Sequence, residues 1–159
     1  MMEKGCAAAA RYTGSERELR FYRLWNILGA MLVSVVIFLS LAPTQSLPDL
    51  PFPYSDKVNH VLAYTAMMFW FGQIFRKRSA SLLIASCLVA MGIVLEYIQG
   101  STGYRTFEYA DMAANGIGAV AGLFLSWTRL GGLLLVFEGL LTGRMDPPPS
   151  KPGPEHADL

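Results

Sequence analysis

The chain has 159 residues, enough for one domain, but its 53% apolar and 16% charged residues depart from soluble domains, where about a quarter are charged. Its net charge of +1, without a basic stripe carrying aromatic residues, argues against a nucleic-acid partner. Its two cysteines, Cys6 in a charged segment and Cys87 in an apolar run, predict neither a disulfide framework nor a cysteine metal site. These features favour a membrane protein.

Three segments follow one another along the chain. Residues 1–23 are polar and basic, and residues 15–23 of this segment are predicted to form an interfacial helix. Residues 24–142 carry the apolar runs and form the predicted membrane domain. Residues 143–159 contain five prolines and are predicted to be a disordered tail.

The membrane domain is predicted to be all-α, a polytopic bundle of about four transmembrane helices plus a short C-terminal interfacial helix. The predicted spans are 24–42, 56–75, 79–98 and 111–127, and residues 130–141 are too short to cross. A cleaved signal peptide is the alternative interpretation of the first run. That run is longer than a signal-peptide core and begins late, so an uncleaved anchor is favoured.

Basic residues predict the orientation of the four spans. Of the 13 Lys and Arg, eleven lie before the first span, in the 76–78 loop or after residue 128. Lys57 and Arg105 are the two in the remaining loops. Because cytoplasmic loops are enriched in Lys and Arg, we expect a multi-pass protein of the bacterial inner membrane with both termini in the cytoplasm.

With this orientation, the second, third and fourth helices each carry polar residues close to the outer surface. Ionisable groups at membrane depth are costly, so they need partners, water or a ligand. The predicted ligand-binding residues are Asp56, Lys57, His60, Glu96, Gln99, Arg105, Asp111 and Asn115. The sequence therefore predicts a polar pocket that opens to the outer leaflet.

Helical spacing suggests roles for some of these residues. Asp56 and His60 are four residues apart, so the carboxylate can orient the imidazole. Glu96 lies near a helix C-terminus, where the dipole disfavours a carboxylate, and Arg105 is its nearest candidate partner. His60 and Glu96 are the candidates for acid/base catalysis. Alternatively, Asp56 is only an N-terminal carboxylate that the helix dipole favours, and Glu96 only pairs with Arg105 to anchor the loop.

The fourth helix also contains glycines at Gly116, Gly118 and Gly122. The last two form a small-xxx-small pair that lets another helix approach closely. Metal binding is not predicted, because one histidine and scattered carboxylates have no ligand spacing signature. No cofactor is predicted either, since the sequence has no phosphate-binding glycine loop.

Two blocks of residues resemble the VanZ-like family of small bacterial membrane proteins. The first is Asp56-Lys57-x-x-His60 with Tyr64, and the second runs from Glu96-x-x-Gln99 through Arg105 to Asp111-x-x-x-Asn115, ending at Gly118 and Gly122. Together they cover residues 56–122. The family takes its name from a protein associated with teicoplanin resistance. The resemblance to this antibiotic resistance-related family implies a role in the cell envelope, not drug resistance itself, and it implies no mechanism.

Three functions are compatible with this pattern. The first is a binding protein for the polar head group of a membrane lipid, a cell-wall precursor lipid or a lipoglycopeptide. The second is a membrane-embedded hydrolase or transferase acting on an envelope lipid. The third is a structural membrane protein whose polar groups only hold the helices together. The absence of an obvious nucleophile favours binding, and the sequence does not indicate an oligomeric state.

Overall fold

The computed structural model describes residues 19–42, 55–103 and 106–143, and every regular element in these ranges is helical. The helices are α1 (Tyr22–Leu41), α2 (Ser55–Ile74), α3 (Arg78–Ser101), α4 (Tyr109–Trp127) and α5 (Leu133–Thr142), with a 3-10 turn at Arg129–Gly132. The all-helical prediction is confirmed for these ranges. Residues 15–18 of the predicted interfacial helix, the loop at residues 43–54 and residues 144–159 of the predicted tail lie outside the described residues.

The structure supports two or three membrane spans where the sequence predicts four. Among the described residues, α1 and α3 are each long and apolar enough to cross a membrane. Helices α4 and α5 qualify as a third span only if they are counted together, although they bend by 70° at the 3-10 turn. Helix α2 does not qualify alone, because polar side chains occupy its first turns and Gln73 lies near its end.

Helix α2 is the centre of the bundle and contacts every other helix. Its side chains Tyr64, Met67 and Met68 are almost completely buried, and Leu88 of α3 and Leu123 of α4 complete this core. Helix α2 buries seven of its 20 residues, against two of 20 in α1, and this greater burial agrees with its less apolar sequence.

Helices α2 and α4 form the most extensive helix pair, and two glycines let their backbones meet. A Cβ on Gly118 would stand 2.5 Å from the Val61 carbonyl oxygen, and one on Gly122 would stand 2.5 Å from the Thr65 carbonyl oxygen. The Thr65 hydroxyl also donates to the Gly118 carbonyl at 3.1 Å. Gly116, by contrast, has no atom within 4 Å of the corresponding position, so it takes no part in this contact.

A second apolar cluster attaches α5 to the bundle. It contains Trp25 of α1, Ile74 of α2 and Leu134 of α5. The buried Gln73 side chain accepts a hydrogen bond from the Leu134 backbone N–H at 3.0 Å, which satisfies a donor at the start of α5. Helix α5 is therefore packed against the helices of the bundle through its own buried face.

Glu138 of α5 caps the start of α1. Its carboxylate accepts hydrogen bonds from the backbone N–H groups of Arg20 and Phe21, both at 2.9 Å, and from the indole N–H of Trp25. A carboxylate at a helix N-terminus satisfies orphan donors and complements the helix dipole. No local pattern in the sequence predicts this role of Glu138.

Large apolar side chains cover the outside of the bundle. In α1 only Trp25 and Gly29 are buried, whereas Phe38 is 72% exposed. Leu83 of α3 and Phe124 of α4 are similarly exposed. An apolar surface of this extent is unusual for a soluble monomer and is consistent with a membrane protein.

The bundle has two chemically different ends. The start of α2, the end of α3 and the start of α4 lie together at one end, where the polar side chains collect. The end of α2, the start of α3 and the end of α4 lie at the other. At this second end the basic residues 76–78 lead from α2 into α3. The Arg78 guanidinium lies over the Trp127 ring, 4.6 Å from its centroid.

Candidate functional site

Three helices and the segment before α4 bring charged and amide side chains together at the first of these ends. Most of these side chains are buried despite their polarity. We refer to the group as the polar cluster; it consists of Asp56, Lys57, His60, Tyr64, Glu96, Glu108, Asp111 and Asn115.

Helix α2 places Asp56 and His60 on one face, as their spacing predicts. The His60 ring is mostly buried, and its Nε2 lies 3.8 Å from the half-exposed carboxylate of Asp56. Its Nδ1 lies 2.9 Å from Asn115 Oδ1 on α4. Because an amide oxygen only accepts, Nδ1 carries the hydrogen in this bond, and Nε2 is left directed towards Asp56.

Lys57 is held by two carboxylates. Its ammonium donates to Glu108 at 2.7 Å and to Asp111 at 3.0 Å. Asp111 is buried in the first turn of α4, where the helix dipole also favours a negative charge. We expected Lys57 to bind a phosphate or carboxylate of a ligand, but here its donors are directed at the protein itself.

Glu96 joins α3 to the start of α4. Its Oε1 accepts the backbone N–H of Glu108 at 2.7 Å, and the side chain is only 1% exposed. Within the described ranges, its buried Oε2 has no hydrogen-bond partner. The predicted ion pair between Glu96 and Arg105 remains a prediction, because Arg105 lies outside the described residues.

Tyr64 is one turn further into the bundle than His60 on α2. Its hydroxyl is buried and, among the residues that the structure describes, has no hydrogen-bond partner. Both this hydroxyl and the amide nitrogen of Asn115 lie within 3.0 Å of the point where Gly92 would carry a Cβ. The Tyr64 hydroxyl is therefore close to the amide group that holds His60.

Gln99 is placed differently from the other predicted ligand-binding residues. Its side-chain nitrogen donates to the backbone carbonyl of Ser40 in the last turn of α1. Gln99 is 97% buried, and this hydrogen bond links α3 to α1. Gln99 thus stabilises the helix packing beside the polar cluster.

Two members of the polar cluster were not among the predicted site residues. Tyr64 belongs to the face that begins with Asp56 and His60, and its four-residue spacing from His60 was the available signal. Glu108 is three residues before Asp111, but its pairing with Lys57 joins residues 51 positions apart. Such a contact depends on how α2 and α4 pack, which spacing within one helix does not reveal.

The described cluster contains more negative than positive charge. Asp56, Glu96, Glu108 and Asp111 supply four carboxylates, whereas Lys57 supplies one ammonium group. A buried carboxylate is stable only with hydrogen-bond donors or compensating charge. Within the described part of the chain, the cluster is therefore better suited to hydrogen-bond donors or cations than to a free anion.

Comparison with known proteins gives limited information about identity. No family model matches the chain, and no solved structure matches it. The chain is similar to uncharacterized protein C11E3.10 of Schizosaccharomyces pombe, with 32% identity over 97 residues. The match covers 59% of this chain, which in turn spans about 60% of the length of that relative. The VanZ-like resemblance therefore stays a prediction.

Proposed function

We propose that this chain is a VanZ-like integral membrane protein whose polar cluster binds the polar head group of an envelope lipid or a cell-wall precursor. The observation that carries the proposal is the pair of buried polar atoms without a partner among the described residues, Glu96 Oε2 and the Tyr64 hydroxyl. Both belong to the polar cluster, and both are available to a ligand that enters it.

The two unsatisfied polar atoms of the cluster carry an energetic cost. Leaving a buried donor or acceptor unpaired costs about 1–3 kcal/mol, and more for a charged group. The bilayer core contains no water that could form the missing hydrogen bonds, so lipid around the helices does not reduce this cost. A head group that donates to Glu96 Oε2 and pairs with the Tyr64 hydroxyl removes both penalties, so binding and stability are coupled.

The charges of the cluster narrow the chemistry of the ligand. Lys57 is already bound by Glu108 and Asp111, so a bare phosphate would have to displace two ion pairs. Hydroxyl, amide and ammonium groups, by contrast, donate directly to carboxylate oxygens. We therefore infer a head group rich in sugar hydroxyls, amides or amines, which is the chemistry of cell-wall precursors and many envelope lipids.

Membrane orientation completes the proposal. The end of the bundle opposite the polar cluster carries Arg76, Lys77 and Arg78, and Arg129 follows α4. By the positive-inside rule this end faces the cytoplasm, and the polar cluster faces outward. In this arrangement the chain crosses the membrane four times, and α2 is shielded from lipid by its neighbours.

Replacing Tyr64 by Phe tests the binding function with little change in shape. We expect Tyr64→Phe to reduce the amount of polar lipid retained in mild detergent, by roughly two- to tenfold in affinity for one lost hydrogen bond. Lipid-stripped protein should melt at the same temperature as the wild type or higher, because the variant removes an unsatisfied hydroxyl. Retained lipid is measured by mass spectrometry of the purified protein.

The matched control for this experiment is Tyr97→Phe, because Tyr97 is 61% exposed on α3 and lies outside the cluster. It should retain lipid like the wild type. If the wild type retains no polar lipid, or if Tyr64→Phe and Tyr97→Phe retain equal amounts, the polar groups only hold the helices together and the binding proposal is wrong.

A further inference from the structure

Three side chains of the polar cluster are arranged like the ligands of a metal ion. One potential ligand atom from each of Asp56, His60 and Asp111 lies within 4.8 Å of the other two. Two of these residues are on α2 and one is on α4, so the arrangement is created by the close packing of these helices. One imidazole and two carboxylates are a donor set that suits divalent transition metals, zinc among them.

Asn115 prepares His60 for this role. Histidines that bind metals nearly always donate their second ring N–H to a carboxylate, a carbonyl or water, which fixes the tautomer and the ring orientation. The 2.9 Å contact between His60 Nδ1 and Asn115 Oδ1 is such a bond. It leaves the lone pair of Nε2 directed towards the side where Asp56 lies, 3.8 Å away.

An independent observation also indicates a missing positive partner. Glu96, with 1% of its surface exposed, has a buried carboxylate oxygen without a hydrogen-bond partner among the described residues. The Tyr64 hydroxyl, beside the Asn115 amide, is unpartnered in the same sense. Glu96 Oε2 is thus a buried acceptor without a hydrogen-bond partner among the described residues, and a divalent cation in the polar cluster supplies positive charge.

Lys57 is the group with which an ion must compete. Its ammonium lies 3.0 Å from one oxygen of Asp111 and 2.7 Å from Glu108. Asp111 has a second carboxylate oxygen, which can bind an ion while Lys57 stays on the first. The half-exposed side chain of Asp56 provides access from the aqueous end.

We propose that Asp56, His60 and Asp111 bind one divalent transition-metal ion, with His60 Nε2 and one oxygen of each carboxylate as ligands. Three protein ligands leave a coordination position for water or for an oxygen of a head group. The inference concerns the same end of the bundle as the proposed binding function, but it does not depend on a lipid ligand.

Zinc titration of the full-length, tag-free and lipid-stripped protein in detergent tests this site. We expect saturable binding of one zinc ion per chain in competition with a chromogenic chelator. Asp56→Asn and His60→Gln should each weaken binding by more than roughly tenfold, because removal of a partner that merely orients a ligand already costs roughly 10- to 100-fold.

The matched control is Glu108→Gln. Glu108 and Asp56 are similarly exposed, with side-chain exposures of 46% and 50%. Neutralising either residue removes one negative charge from the polar cluster. Only Asp56 belongs to the three-residue ligand set, so Glu108→Gln should bind zinc within a few-fold of the wild type. Melting curves without zinc show which variants are folded, and the half-exposed position of Asp56 makes Asp56→Asn the variant least prone to unfold.

The metal site is wrong if the wild type binds no zinc stoichiometrically, or if Asp56→Asn and Glu108→Gln weaken binding equally. Because lipid is absent from this titration, the result is separate from the lipid-retention test. Zinc binding without lipid retention would support the metal site and contradict the head-group function. Lipid retention without zinc binding would contradict the metal site alone.

Discussion

Gly118→Ala should lower the free energy of unfolding by about 1–3 kcal/mol, the usual cost of adding a methyl group to a closed interface. The added Cβ would stand 2.5 Å from the Val61 carbonyl oxygen and 2.9 Å from the Tyr64 Cβ. The nearest atom belongs to backbone, which no rotamer change can move, so α2 and α4 must separate. The hydrogen bond from Thr65 to the Gly118 carbonyl is expected to lengthen as well.

Gly116→Ala provides the control for this prediction on the same helix. Gly116 has no atom within 4 Å of its Cβ position, so alanine meets no obstacle there. Alanine is favoured over glycine in a helix by about 1 kcal/mol, and the control should therefore be neutral or stabilising. Both variants are compared by denaturant unfolding in the same detergent. Equal stabilities would show that α2 and α4 do not pack through Gly118.

Glu138→Ala is the second substitution from which we expect a large loss of stability, about 2–4 kcal/mol. The wild-type carboxylate accepts hydrogen bonds from the backbone N–H groups of Arg20 and Phe21 and from the Trp25 indole. Its removal leaves the buried Trp25 indole N–H and two partly buried backbone N–H groups without their acceptor. An unsatisfied buried donor costs about 1–3 kcal/mol, and the loss of a helix cap costs about 1 kcal/mol. The capping of α1 and the docking of α5 are lost together.

Leu140→Ala is a suitable comparison for this variant, because Leu140 is 62% exposed on the same helix. It should change the melting temperature much less than Glu138→Ala. Hydrogen exchange adds a local measurement, since the Arg20 and Phe21 amides should lose protection in the Glu138 variant and keep it in the control. Unchanged protection of these amides would contradict the capping role.

Local patterns predicted the helices well, and the physical reasons are visible at their ends. The basic loop at residues 76–78 interrupts the apolar sequence between α2 and α3, and the described helix ends agree with this break. The four-residue spacing of Asp56 and His60 was enough to place both on one face of α2. Patterns that repeat within one helix depend only on helical geometry, so the sequence contains them directly.

Contacts between distant helices could not be predicted in the same way. Glu138 bonds to residues 113 to 118 positions away, and an apolar ten-residue helix with one carboxylate resembles an interfacial helix in the sequence alone. The pairing of Lys57 with Glu108 likewise depends on the packing of α2 against α4. Gln99 was interpreted as a ligand-binding residue because its packing against Ser40 of α1 has no local signature.

Counting spans from apolar runs was difficult for a related reason. Helix α2 is as long as α1, with 20 residues each, but its burial permits polar side chains that a lipid-facing helix would not tolerate. Helices α4 and α5 meet at a 70° bend, where Gly131 lies against the Ser126 carbonyl. Length and composition do not reveal that α2 is the central helix of the described bundle or that the chain turns at this point.

Thiol labelling in intact cells tests most directly whether the polar cluster opens to the outer surface of a membrane-embedded bundle. In a background with Cys6→Ser and Cys87→Ser, single cysteines are introduced as Ser101→Cys and Ser79→Cys. Both positions are exposed, the first at the end of α3 beside the polar cluster and the second at the start of α3 in the basic end. If the polar cluster faces outward, we expect a membrane-impermeant maleimide to label Ser101→Cys in intact cells. It should label Ser79→Cys only after the membrane is opened. Labelling of Ser79→Cys alone in intact cells would place the polar cluster on the cytoplasmic side and contradict its outward orientation.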